Sequence, residues 1–144
     1  MSRINYFSTK PDFITQIRAI TKEQEQFSLD ATLRALVETR VSQINGCAYC
    51  TDLHNREARE RGEKQQRLDS LPVWRESPFI TERERAALAW AESMTLIAKT
   101  HAADADYEPL RQHFSEAEIV ELSLSISLAN FWNRMAAGFR KMPD

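Results

Sequence analysis

Apolar residues recur along this chain at helical spacing, and glycines, prolines and polar runs separate the segments they mark. Pro11 opens the first segment, with Phe13, Ile14, Ile17 and Ile20 on one face, before the polar run Lys22 to Gln26. Asp30 is a suitable N-cap for the second, where Leu33, Leu36, Val37, Val41 and Ile44 mark a buried face. Asn45-Gly46 ends it, because glycine accepts the left-handed backbone of a helix C-terminus. Residues 47–61 form a third helix, rich in Ala, Glu and Arg and closed by Gly62.

Residues 63–80 read as a connection with one short helix at Gln65 to Leu71, punctuated by Pro72 and Pro78. Trp74 and Phe79 are its expected core anchors. Thr81 and Glu84 fit a capping box for a helix reaching about Lys99. Its apolar stripe is Leu88, Ala91, Thr95 and Ala98, widened by Trp90, Met94 and Ile97. Ser115 and Glu118 fit a second box. The helix after it, from Glu116 to about Ala137, is apolar nearly all round, from Ile119 and Val120 to Phe131 and Trp132. Such a helix needs burial on most sides, and in a small domain a second subunit is expected to supply some of it. No run alternates with period two. The expected fold is all-α: one compact domain of about six helices over residues 1–144, oligomerising through the apolar helix.

Composition narrows the function. A chain of 144 residues with 42% hydrophobic and 28% charged residues has ordinary globular composition and excludes disorder. Only three glycines occur, Gly46, Gly62 and Gly138, too few for a turn-rich β-barrel or a Gly-rich phosphate loop. The net charge of −2 sets up no field toward nucleic acid or an anionic membrane. No stretch has the length of a signal peptide's apolar core or of a membrane span. The expectation is a cytoplasmic protein with no nucleic-acid or membrane partner and no cofactor. In a reducing compartment its two cysteines, three positions apart, are redox-active or metal-binding rather than structural.

Cys47-Ala48-Tyr49-Cys50 directly follows Gly46 and starts a helix, and His54 comes four residues after Cys50. A helix N-terminus presents unpaired N–H groups and a partial positive charge, which favour thiolate over thiol. Positions i and i+4 share a helix face, so His54 can take the Cys50 proton or hydrogen-bond its thiolate. The pattern suits attack by Cys50 on a hydroperoxide, giving a sulfenic acid that Cys47 resolves as a disulfide. An external dithiol must then reduce that disulfide. The reverse assignment of the two cysteines stays open. So does a zinc site using Cys47, Cys50 and His54, although His101 and His113 lie in no ligand-like cluster.

The segment Val41-Ser42-Gln43-Ile44-Asn45-Gly46-Cys47-Ala48-Tyr49-Cys50-Thr51-Asp52-Leu53-His54 closely resembles the core motif of the AhpD-like alkylhydroperoxidase branch of the carboxymuconolactone decarboxylase superfamily. Trp74-Arg75-Glu76, Phe79, the run Thr81 to Trp90, and Asn130-Phe131-Trp132-Asn133-Arg134 extend the resemblance over about residues 30–144. It implies an all-helical fold assembling as a trimer or hexamer, with the CxxC facing a pocket near a subunit interface. It also implies Cys50 as attacking thiol, Cys47 as resolving thiol, His54 in a proton relay, and a dithiol reductant that in some relatives is a lipoyl-bearing adaptor. Two positions depart from the pattern. The relay glutamate expected twelve residues before the first cysteine is Ala35, and a histidine found inside some relatives' CxxC is Tyr49. Glu38, one turn after Ala35, either replaces the missing carboxylate or is a solvated surface charge.

The leading expectation is therefore a thiol-dependent peroxidase using Cys50, Cys47, His54 and Glu38 to reduce hydroperoxides. A redox-sensing or scaffold oligomer, a zinc-binding helical domain and a lactone decarboxylase are the alternatives.

Overall fold

A computed structural model describes residues 2–144 and shows helices and turns, with no strand among the described residues. In chain order the helices are α1 (Tyr6–Thr9), α2 (Pro11–Lys22), α3 (Ala31–Ile44), α4 (Ala48–Glu60), α5 (Gln65–Ser70) and α6 (Glu82–Thr95), followed by three single-turn helices, α7 (Ile97–Thr100), α8 (Asp104–Tyr107) and α9 (Leu110–His113), and by α10 (Glu116–Gly138). Short 3₁₀ turns span Glu23–Gln26 and Leu71–Val73. Six helices reach six residues or more, as the periodicity predicts, and the fold is all-α.

The ends of these helices follow local chemistry. Asp30 Oδ1 accepts the Thr32 N–H at the start of α3. Ser115 and Glu118 form a complete reciprocal box at the start of α10. At α6 only half of the expected box forms: Thr81 Oγ1 accepts the Glu84 N–H, while the Glu84 carboxylate takes the Thr81 hydroxyl and Arg67 instead. Gly46 (φ +66°) and Gly62 (φ +92°) supply the left-handed turns on either side of α4.

The core is built around α3, which packs against α4, α6 and α10. Leu36, Val37 and Val41 of α3, Ala87, Leu88 and Ala91 of α6, and Leu122 and Ile126 of α10 are fully buried. Contact on several sides also buries the polar side chains Arg34, Glu38, Thr39 and Ser42 of α3.

Several expectations are corrected. On α2 only Ile14 is buried, and Phe13 and Ile20 are exposed, because the helix rests on the rest of the chain along one edge. Phe79 is 42% exposed and Ile80, one residue later, is the anchor beside Trp74. The helix expected to reach Lys99 breaks at Leu96, so Ile97 and Ala98 are exposed. There the Thr100 hydroxyl donates to the Ser93 carbonyl and folds the next turn back. Exposure of Val120 and Leu124 on α10 is no such correction, since cover from a second subunit is expected there.

A polar cluster fastens the end of α3 to α10. Asn45 Nδ2 donates to Asn130 Oδ1 and Asn133 Oδ1, both at 2.9 Å, and Asn133 Nδ2 donates to Ser42 Oγ at 3.0 Å. Asn133 is 1% exposed, so each of these groups depends on its protein partners. Asn133→Ala is expected to destabilise the fold by about 1–3 kcal/mol, the cost of leaving buried polar groups unpaired. Urea unfolding checks this: the midpoint should fall at unchanged slope. A loss below about 0.5 kcal/mol, the scatter of ordinary surface substitutions, would show that the cluster is no fastening.

Candidate functional site

The cysteine pair sits where the Gly46 turn delivers the chain into α4. Cys47 is the N-cap residue, with φ −89° and ψ 99°, and its Sγ accepts the Cys50 N–H at 3.2 Å. The two sulfurs are bonded as a disulfide, with the Cα atoms 5.3 Å apart. Both residues are buried, yet they face different spaces. Cys50 lines a cavity of about 780 Å³ under α1 and α2. Cys47 lines a separate, more open depression with Gly46, Thr51, Asn55, Arg59 and Pro72.

His54 follows Cys50 by one turn of α4 and lines the same cavity. Its Nδ1 lies 3.2 Å from Glu57 Oε2 and 3.3 Å from Glu38 Oε2. Ionised carboxylates offer only acceptors, so Nδ1 carries its hydrogen there, which leaves Nε2 as the proton-exchanging nitrogen. Glu38 comes from α3, and its Oε1 is 3.5 Å from Arg34 Nε, one turn earlier. The Arg34 guanidinium also bonds the Gln24 carbonyl, tying the turn after α2 to the site.

Burial pushes the Glu38 carboxyl above its ordinary pKa, and the charges of His54 and Arg34 only partly offset this. For His54, burial works to lower the pKa, but the hydrogen bond to Glu57 and the charges of Glu38 and Glu57 outweigh it. The imidazole therefore holds its proton to a higher pH than usual. The hydrogen bond to His54 holds Glu57 below the ordinary carboxylate range.

Cys50, His54 and Glu38 thus line one cavity, with His54 and Glu38 in contact, and Cys47 lines the neighbouring depression. Ala35 is buried in the core, so the carboxylate beside His54 is Glu38, not a group at position 35. Two partners escaped the sequence reading. Glu57 lies three residues after His54, and Arg34 lies four before Glu38; both spacings place side chains on one helix face. Tyr49 is half-buried at the cavity wall with the Lys141 ammonium 4.2 Å from its ring centroid. His101 is an exposed residue in the left-handed region, and His113 ends α9.

Among the described residues, one group has metal-ligand proximity: Glu38, His54 and Glu57, whose ligand atoms lie within 4.8 Å of one another. The cysteines expected for zinc are not in it, and bonded to each other they offer no thiolate. Both carboxylates meet a single ring nitrogen, and Arg34 shares Glu38. That arrangement suits a held proton.

Among the described residues no helix is long and apolar enough to cross a membrane. Residues 12–93 match the Carboxymuconolactone decarboxylase family. The uncharacterized protein YdfG of Bacillus subtilis (strain 168) is 38% identical over 134 residues, covering 93% of this chain and 91% of that protein. A solved protein of unknown function from Agrobacterium tumefaciens, provisionally placed with the antioxidant defence protein AhpD, is 41% identical at a TM-score of 0.97. That match covers 100% of this chain and 99% of the other. The debrominase Bmp8 shares the fold at a TM-score of 0.84 and 21% identity, over 96% of this chain and 74% of its own. The chain belongs to the carboxymuconolactone decarboxylase family, in its AhpD-like branch.

Proposed function

We propose that the protein is a thiol-dependent peroxidase that reduces organic hydroperoxides at Cys50 and is recycled by an external dithiol. The observation that carries this reading is the shared cavity: Cys50 and His54 line it together, and two carboxylates hold His54 from behind.

In the reduced protein the Cys50 proton passes to His54 Nε2. The thiolate attacks the terminal oxygen of the hydroperoxide; the S–O bond forms as the O–O bond breaks. The departing alkoxide takes the proton from the His54 imidazolium and leaves as an alcohol, and Cys50 is left as a sulfenic acid. The Cys47 thiol then displaces hydroxide from that sulfur, so the disulfide forms and water leaves. A dithiol attacks the disulfide, restores both thiols and departs oxidised. Glu38 and Glu57 fix the imidazole tautomer and stabilise its charged form, as a carboxylate behind a catalytic histidine does. A lipoyl-bearing adaptor is a dithiol of the right class. Exposed Val120 and Leu124 on α10, with Phe13 and Ile20 on α2, support a homo-oligomer, for which the family resemblance implies a trimer or hexamer. A cytoplasmic setting would supply the reductant.

The test is consumption of an alkyl hydroperoxide by the wild-type protein with excess dithiol. Cys50→Ser is expected to abolish turnover. Cys47→Ser, reduced and then freed of dithiol, is expected to consume one equivalent and stop, leaving a sulfenic acid that dimedone traps and mass spectrometry detects. No peroxide loss above background in the wild type would sink the enzyme reading. A reversible disulfide without turnover would leave a redox sensor.

His54→Gln should lower kcat/KM by roughly 10²-fold or more, the scale of a lost general acid–base group. The pH profile carries a further expectation. A raised His54 pKa keeps the imidazolium available as proton donor to higher pH, so the alkaline limb should lie above about 6.5, the free imidazole value. Glu57→Gln removes the carboxylate charge that helps to raise it, and the limb should move to lower pH. A limb that stays in place would exclude His54 as the titrating acid.

A further inference from the structure

The redox cycle uses Cys47, Cys50, His54, Glu38 and Glu57, but neither the size of the cavity nor the charge at its mouth follows from that cycle. At about 780 Å³ the space far exceeds the ~30 Å³ share of one water-sized molecule. It falls in the range of pockets that hold sizeable organic ligands. Its apolar wall includes Phe7, Leu53, Leu128 and Trp132.

Five basic side chains line the cavity, Arg18, Lys22, Arg34, Arg61 and Lys141, against three acidic ones, Glu25, Glu38 and Glu57. The chain as a whole carries −2, so this local excess of positive charge runs against the overall balance. Arg34 is paired with Glu38, and Arg61 acts at longer range on Glu38 and Glu57. Arg18, Lys22 and Lys141 have no carboxylate within ion-pair distance among the described residues. Lys141 is the most constrained of them. Its ammonium lies 4.2 Å from the Tyr49 ring centroid and 4.4 Å from that of Phe7. The Arg18 guanidinium lies 5.7 Å from the same Phe7 ring. Two cations therefore share one aromatic ring, held by π faces that leave their hydrogen-bonding capacity largely unspent. The Tyr49 side chain packs against the cluster of Cys47, Cys50 and Ala136, so this positive site stands near the cysteine pair.

We propose that Lys141 and Arg18 form a carboxylate-binding subsite, and that the substrate is an amphipathic organic hydroperoxide bearing a carboxylate. Its apolar chain lies along Phe7, Leu128 and Trp132, and its hydroperoxide reaches Cys50. The carboxylate is unchanged in the reaction and leaves on the alcohol product. This substrate class rests on the peroxidase reading; the anion subsite does not.

Two measurements separate them. In the first, octanoate and octanol are titrated against the oxidised protein, with Trp132 as the fluorescent reporter in the cavity. Octanoate is expected to bind about fivefold or more tightly than octanol, the scale of one or two partly exposed charge contacts. Raised salt should erase the difference. Lys141→Gln should remove it, Lys141→Arg should keep it, and Lys99→Gln, on the distant α7, should leave it intact. In the second, a carboxylated alkyl hydroperoxide and its methyl ester are compared as substrates. The acid is expected to have the higher kcat/KM by a similar factor, through KM, with a ratio near one in Lys141→Gln. Octanoate binding no tighter than octanol, or an acid-to-ester ratio near one in the wild type, would overturn the proposal. Selective octanoate binding with no hydroperoxide turned over would instead defeat the peroxidase reading and leave the subsite standing.

Discussion

A carboxyl group buried between two helices is costly unless something nearby compensates it, and Glu38 is such a group. Its compensation comes from Arg34 on its own helix and His54 on the next. Satisfying both requires α3 and α4 to pack closely, side by side, with His54 turned inward. The Gly46 turn permits that packing, and the Asn45–Asn133–Ser42 cluster fixes where α3 stops and α4 starts. The orientation of His54 toward the cavity is thus a consequence of how the fold resolves one buried charge.

The same constraint separates the two sulfurs. An N-cap residue is not yet helical, whereas Cys50, three residues on, lies on the helical face shared with His54. With α4 held by its histidine, Cys50 faces the deeper cavity and Cys47 the more open depression. In the proposed cycle, oxidising substrate and reductant would therefore meet different sulfurs from different sides. Reductant attack at Cys47 would release Cys50 beside the histidine that starts the next cycle.

The helical pattern, the caps at Asp30 and Ser115, the glycine stops and the shared helix face that brings Cys50 and His54 to one cavity were legible from residue type and spacing. Each is a local property, decided within one or two helical turns. What escaped the reading, or stayed open in it as at Glu38, depends on tertiary contact. Arg34, Glu38 and Ser42 form a polar stripe along α3, and a helix buried on one face only would send that stripe to solvent. It is buried because α3 is covered on several sides, and the periodicity of one helix carries no information about that. The same holds for the break at Leu96, where no glycine or proline signals the hydroxyl that turns the chain. Phe79 and Ile80 exchanged roles because, after Pro78, a single step along an irregular segment reverses which side chain points inward.

Cys47 ties the fold to the chemistry most directly. Its Sγ accepts an N–H at the start of α4 in place of the Ser, Thr or Asp oxygen usual at that position. In the disulfide that sulfur is a neutral and weak acceptor. Once reduced, a negative sulfur in the same place would meet the positive end of the helix and cap it more strongly. A Cys47 thiolate, where it forms, would therefore be stabilised by the helix relative to the disulfide. Stabilising the reduced form makes a disulfide a better electron acceptor. In the proposed cycle a cysteine at the N-cap would thus favour return to the dithiol, and the histidine with its carboxylates would serve the step in which the peroxide bond breaks.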